Sequence, residues 1–146
     1  MIRRNDFLAS LDIIEKFRAE KRKNRRRFYF WYDDTTHKII PVEILRISRV
    51  DDEECETRYD VCVRYQHEGD DTWFNRFVYA GDLFNSRKEL VEEMIIRKEE
   101  EMEEFQIKVQ EGCWVPQYDE NVKRDLTALE TWNKMKGELG ILQNLR

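Results

Sequence analysis

The chain has 146 residues, 40% of them hydrophobic and 12% aromatic, with only five glycines and two prolines. This composition excludes intrinsic disorder, low-complexity architecture and long flexible linkers, and it is enough for one real core. Charged residues make up 39%, and the net charge of −5 hides an asymmetry: residues 1–27 hold ten basic and four acidic side chains, residues 28–146 sixteen and twenty-seven.

Three cysteines, Cys55, Cys62 and Cys113, form no CxxC pair, and their odd number argues against a disulfide framework. No apolar run approaches the roughly 20 residues of a membrane span. The N-terminal stretch lacks an uninterrupted apolar core of the signal-peptide type. These features predict a soluble, cytoplasmic protein in a reduced compartment, with no membrane contact.

The first predicted element is a helix. Asn5 or Asp6 caps it, Phe7, Leu8, Leu11, Ile14 and Phe17 recur at helical spacing, and Asn24 ends it. Its last turns open a basic run, residues 16–27, with eight Lys or Arg against one acid. The period then changes to two. Strands are predicted over 27–33, 38–50, 58–66 and 72–80, with a turn at 33–36, an acidic loop at 51–56 and a hairpin loop at 67–71. Pro41 predicts an edge strand or a bulge at that point. Trp73, Phe77 and Tyr79 fall on one face of the fourth strand.

Gly81 breaks that strand, and Ser86 with Glu89 forms a capping-box pattern. The helix that follows carries Val91, Ile95, Met102, Phe105 and Val109 on one seam and ends at Gly112. Its apolar-rich first half is expected to pack on the sheet. Residues 113–118 form a short apolar connection. A last helix is predicted from about Asn121, on the spacing of Val122, Leu126, Leu129, Trp132, Met135, Leu139 and Leu142. The expectation is an α+β fold: a four-stranded antiparallel meander preceded by one helix and followed by two. Residues 1–112 form the α+β domain in this reading, and 113–146 a C-terminal helical extension packed on it or on a partner.

The chemistry-bearing patterns are sparse. No P-loop, G-x-S-x-G, H-E-x-x-H or G-x-G-x-x-G is present, and no catalytic residue is assigned. His37, His67, Asp70, Asp71 and the cysteines lack zinc-like spacing, and 51–54 lacks the alternation of a calcium loop, so neither a metal site nor a cofactor is predicted. The strongest binding candidate is the basic run with its neighbouring rings. Lys21, Arg22, Lys23, Arg25, Arg26 and Arg27 supply cations for phosphate or carboxylate, and strand alternation separates Tyr29 and Trp31 from Phe28, Phe30 and Tyr32. One ring set is core; the other is free to stack on a base or a protein, and Tyr29 and Trp31 are taken as the offered set. The second candidate is the acidic stretch Glu99, Glu100, Glu103 and Glu104, suited to a basic protein surface. The plainer alternative in each case is a solvated helix face.

The stretches FYFWYDDTTHKIIPVEIL, TWFNRFVYAGDLF and SRKELVEEMI, spanning roughly residues 28–96, together resemble small bacteriophage accessory proteins in layout. The resemblance implies a non-enzymatic role in host takeover or virion assembly, exerted by binding, and it transfers no functional residue.

The opposed charge poles predict a non-catalytic interaction protein with a protein partner, possessing Trp, Tyr and Arg hot spots. The same basic run also fits a single-stranded RNA or DNA binder. A small enzyme with a fold-assembled site from His67 and Asp70 or Asp71 is the third reading. The two long helices also suit pairing with a second copy.

Overall fold

The computed structural model describes residues 4–51 and 57–146, in two compact units, Met1–Leu90 and Val91–Arg146. Cys55 and the predicted acidic loop, apart from Asp51, lie outside the described residues.

In the first unit, α1 (Asp6–Arg22) starts where the Asn5 side chain accepts the Leu8 amide at 3.0 Å. It ends at Asn24, whose φ of 53° places it in the left-handed region. There the Asn24 amide returns to the Lys21 carbonyl and the Arg25 amide to the Glu20 carbonyl, the paired bonds of a Schellman motif. The apolar face matches the expected one only at Ile14 and Phe17, which face the core. Ser10, Ile13 and Ile14 are buried, whereas Phe7, Leu8 and Leu11 are exposed. Ser10 turns its hydroxyl back onto the Asp6 carbonyl at 2.7 Å, and both residues lie close against Gly81.

The sheet contains β1 (Phe28–Asp33), β2 (Lys38–Asp51), β3 (Thr57–Tyr65), β4 (Phe74–Tyr79) and β5 (Leu83–Phe84). All pairings are antiparallel, in the order β4-β3-β2-β1-β5. The four-strand meander is therefore present, and a fifth strand extends it. After the 3-10 turn Ala80–Asp82 the chain crosses to the far edge and pairs Leu83 with Trp31 and Phe84 with Phe30. A two-residue strand is too short to show a period, so the sequence pattern misses it. Arg4 holds this crossing in place, donating to the Gly81 and Leu83 carbonyls at 3.0 and 2.7 Å and lying over the Phe84 ring.

Alternation decides which side of each strand is core. Tyr29 and Trp31 of β1, Val42 and Ile44 of β2, Val61, Val63 and Tyr65 of β3 and Val78 of β4 point inward, where they join Ile13 and Leu83. Pro41 lies in the central strand β2. The β3 ladder begins only at Glu43, so on that side there is no ladder bond for a proline to remove. The bulge comes later, at Leu45, between the pairs Ile44–Val63 and Arg46–Cys62.

The second unit holds most of α2 (Arg87–Gln110), a small hairpin of β6 (Tyr118–Asp119) and β7 (Arg124–Asp125), and α3 (Ala128–Asn144). The Ser86 hydroxyl accepts the Glu89 amide at the start of α2, and Gly112, at φ 72°, ends the helix in a second Schellman motif. The unit boundary falls inside α2 rather than at Gly112. The second half of α2 has its own partners: Phe105 meets Trp114 edge-on at 5.5 Å and stacks on Trp132 at 6.2 Å. The predicted start of α3 near Asn121 is also corrected. Asp119 caps a tight turn by accepting the Asn121 and Val122 amides. The helix begins at the capping box of Thr127 and Glu130, with Arg124 gripping both Glu130 carboxylate oxygens at 2.8 and 2.6 Å.

Candidate interaction surface

The outward face of the sheet follows from the same alternation that builds the core. Phe28 on β1 pairs with Glu43 on β2, and Glu43 with Arg64 on β3. Past the bulge, Arg46 faces Cys62, and Cys62 faces Phe77 on β4; the next row is Ser48, Asp60 and Tyr79. Four guanidinium groups on this face lie over four rings. Arg26 is 5.5 Å from the centre of Phe28, Arg64 4.7 Å from Trp73, Arg46 5.5 Å from Phe77 and Arg58 5.2 Å from Tyr79. Each ring is exposed, Phe77 most of all at 59%.

Two carboxylates interrupt this positive field. Glu43 accepts from Arg26 at 2.5 Å and from Arg64 at 2.7 Å, and Asp60 lies 3.7 Å from Arg58. Glu43 thereby couples the end of the basic run to the sheet. Arg46 meets no carboxylate among the described residues. It spans the row to Phe77, directly over Cys62, which explains why that outward-pointing thiol is only 6% exposed.

The basic run borders this face. Lys21, Arg22, Lys23, Arg25 and Arg26 are exposed, and Arg27 is half-buried, donating to Asn85 at 3.2 Å. A cleft of about 220 Å³ lies among Lys21, Arg25, Arg26, Arg27, Tyr29 and Glu43, with Glu20 also on its wall. Tyr29 is 1% exposed, Arg27 lies 5.4 Å over its ring, and its hydroxyl has no hydrogen-bond partner among the described residues. Burial pushes the Tyr29 phenol above its ordinary pKa, against the opposing pull of Arg27.

The sequence-based choice of rings is thus reversed. Tyr29 and Trp31 are the inward set, with Trp31 7% exposed, packed 5.7 Å from Tyr65 and covered by Arg76. The ring next to the basic run on the outward face is Phe28. The exposed rings farther along, Trp73, Phe77 and Tyr79, were legible as one face of β4. Their arginine partners Arg46, Arg58 and Arg64 come from two other strands. Only alternation over 58–66 carried a signal for them, by setting Arg58 and Arg64 opposite Tyr59 and Tyr65.

The other candidates belong to other parts of the chain. Glu99, Glu100, Glu103 and Glu104 are exposed on α2, with Glu104 3.1 Å from Lys108. A second cleft, of about 480 Å³, lies within the second unit beside Trp114, Lys108 and Lys134, but its cations are matched locally, Lys108 by Glu104 and Lys134 by Asp119. His67 packs edge-on against Tyr65 and Phe74, while the Asp70 carboxylate accepts the Thr72 amide, an arrangement that closes a loop. That bond holds Asp70 below the usual carboxylate pKa. Among the described residues, no three His, Cys, Asp or Glu side chains gather as metal ligands, and no helix is long and apolar enough to cross a membrane.

Comparisons with family models, curated proteins and solved structures each find no match to this chain.

Proposed function

We propose that this protein is a non-catalytic interaction protein that grips an anionic macromolecular surface with the outward face of its sheet and the adjoining basic turn. The observation that carries the reading is the set of four arginine–ring stacks on one exposed face, tied to the basic run through Glu43. Arginine and aromatic side chains together dominate binding energy at interfaces, because both bring large contact area with directional contacts. A guanidinium held over a ring is ordered before the partner arrives, so less side-chain entropy is lost on binding. The accessory or inhibitor role implied by the phage-like layout would be exerted through this same face.

Retention on immobilised heparin at low salt tests the reading. The native chain is expected to bind, and the double variant Arg46→Glu with Arg58→Glu to elute at markedly lower salt. Equal elution of the two, with unchanged circular dichroism, would remove this face as the contact surface.

A further inference from the structure

We infer that the partner of this face is single-stranded nucleic acid, an inference that rests on the interaction reading above. Two parallel tracks on the sheet point to it. The edge strand β4 and the residue before it offer Trp73, Phe77 and Tyr79, all on the outward side and all about half exposed. Beside them, on β3 and β2, run Arg58, Arg64 and Arg46, each over one of those rings. Neighbouring strands are about 4.8 Å apart and alternate residues about 6.7 Å, so both tracks lie within one nucleotide's reach. A single strand needs this pairing of parts, rings for unstacked bases and cations for phosphates. A duplex buries its base faces and has no use for the ring track.

Charge complementarity supports the same occupant. The arginine track continues through Arg26 to Lys21, Arg22, Lys23 and Arg25; among the described residues Glu20, Glu43 and Asp60 lie along it, and Asp6 and Asp82 line the cleft beside Arg58 and Tyr79. Glu43 is largely covered by the two arginines it pairs with. Among the described residues, Arg22, Lys23, Arg25 and Arg46 meet no carboxylate. They have no internal charge to release before taking up phosphate. The cleft beside Tyr29 gives the track a concave end within this basic turn.

The test uses the full chain and a fluorescein-labelled oligo-dT of about 15 nucleotides, in the size range that one small sheet domain covers. Fluorescence anisotropy should show binding at low salt. The affinity should fall by about 3 log units per log unit of salt if four phosphates are neutralised. Removing Arg46 and Arg58 together should lower that slope by about 1.4. Trp73→Ala and Phe77→Ala should each weaken binding on the order of tenfold, since a stacked base is lost. A Trp73→Phe variant keeps a ring and should retain affinity, while losing the tryptophan fluorescence change that accompanies binding. The surface position of these side chains, with circular dichroism as a check, separates lost binding from lost folding.

Three results would overturn the inference: oligo-dT binding no tighter than a duplex of equal length, ring variants that bind as the native chain does, or displacement of oligo-dT by poly-glutamate at equal charge concentration. Any of these with heparin retention intact leaves the interaction face standing and points to an acidic protein or mere polyanion attraction. Loss of heparin and oligonucleotide binding together would remove both readings.

Discussion

Three residues show how local surroundings set chemical behaviour. Glu130 is held at a pKa of about 2, down from an ordinary 4.5, chiefly by the Arg124 guanidinium and then by the Thr127 amide. Its folded value lies below its unfolded one, so its contribution is fully present above about pH 4.5 and disappears as the pH falls through about 2. A carbon-detected titration of the Glu130 carboxyl should give a midpoint near 2, and Arg124→Ala should move it back toward 4.5. Tyr29 behaves differently. Its hydroxyl is sealed from water without a partner among the described residues, which costs free energy relative to a bare ring. Tyr29→Phe is therefore expected to be neutral or stabilising by up to about 1 kcal/mol in urea unfolding. A loss beyond about 1 kcal/mol would show that the hydroxyl is satisfied in solution. Cys62 sits beneath the Arg46–Phe77 stack, whereas Cys113 is exposed. Peptide mapping after brief alkylation should find Cys113 modified before Cys62, and Phe77→Ala should raise the rate at Cys62 several-fold.

At the scale of elements, α1 and α2 end in the same device. The second residue past the helix enters the left-handed region, Asn24 after α1 and Gly112 after α2, and two amides turn back on free carbonyls. Asparagine tolerates that conformation and a β-branched residue does not. Asn24→Gly should change stability by less than about 0.5 kcal/mol, while Asn24→Val should cost about 1–2 kcal/mol in the same urea melts. The Val variant should also loosen the basic turn, since Asn24 sets the direction in which Arg25 and Arg26 leave the helix. The strands show the other face of local control. Each alternates apart from the bulge in β2, but alternation only divides a strand into two sides. It does not say which side meets the core, and that is why Tyr29 and Trp31 were assigned outward and are found inward.

Across the whole molecule, charge is divided between the units. Residues 1–90 carry eighteen basic and eighteen acidic side chains, residues 91–146 eight and thirteen. The acidity of the chain therefore belongs to the second unit, and the sheet unit carries its arginine–ring stacks at no net charge. Stability is expected to be uneven too. Val42, Val61, Val63 and Leu83 are fully buried in strands paired on both sides or held by Arg4. Their amides should exchange slowest with deuterium, and those of the exposed hairpin around residues 118–125 fastest. Fast exchange at Val61 and Val63 would mean that the centre of the sheet is not the stable nucleus it is drawn as.

Local pattern was enough to place all three helices, four of the five strands of the large sheet, the ends of α1 and α2 and the basic run, because caps, periods and turn residues act over a few neighbours. It was not enough for the two-residue strand β5, which exists only by pairing with β1, nor for the hairpin around residues 118–125, whose spacing imitates a helix. The interaction face required the tertiary structure for a stronger reason. Each of its arginine–ring stacks on β4 joins residues from different strands, and register decides which meet. Arg46 reaches Phe77 only because a bulge at Leu45 resets the outward side of β2, a single extra residue whose effect appears when three strands are laid side by side.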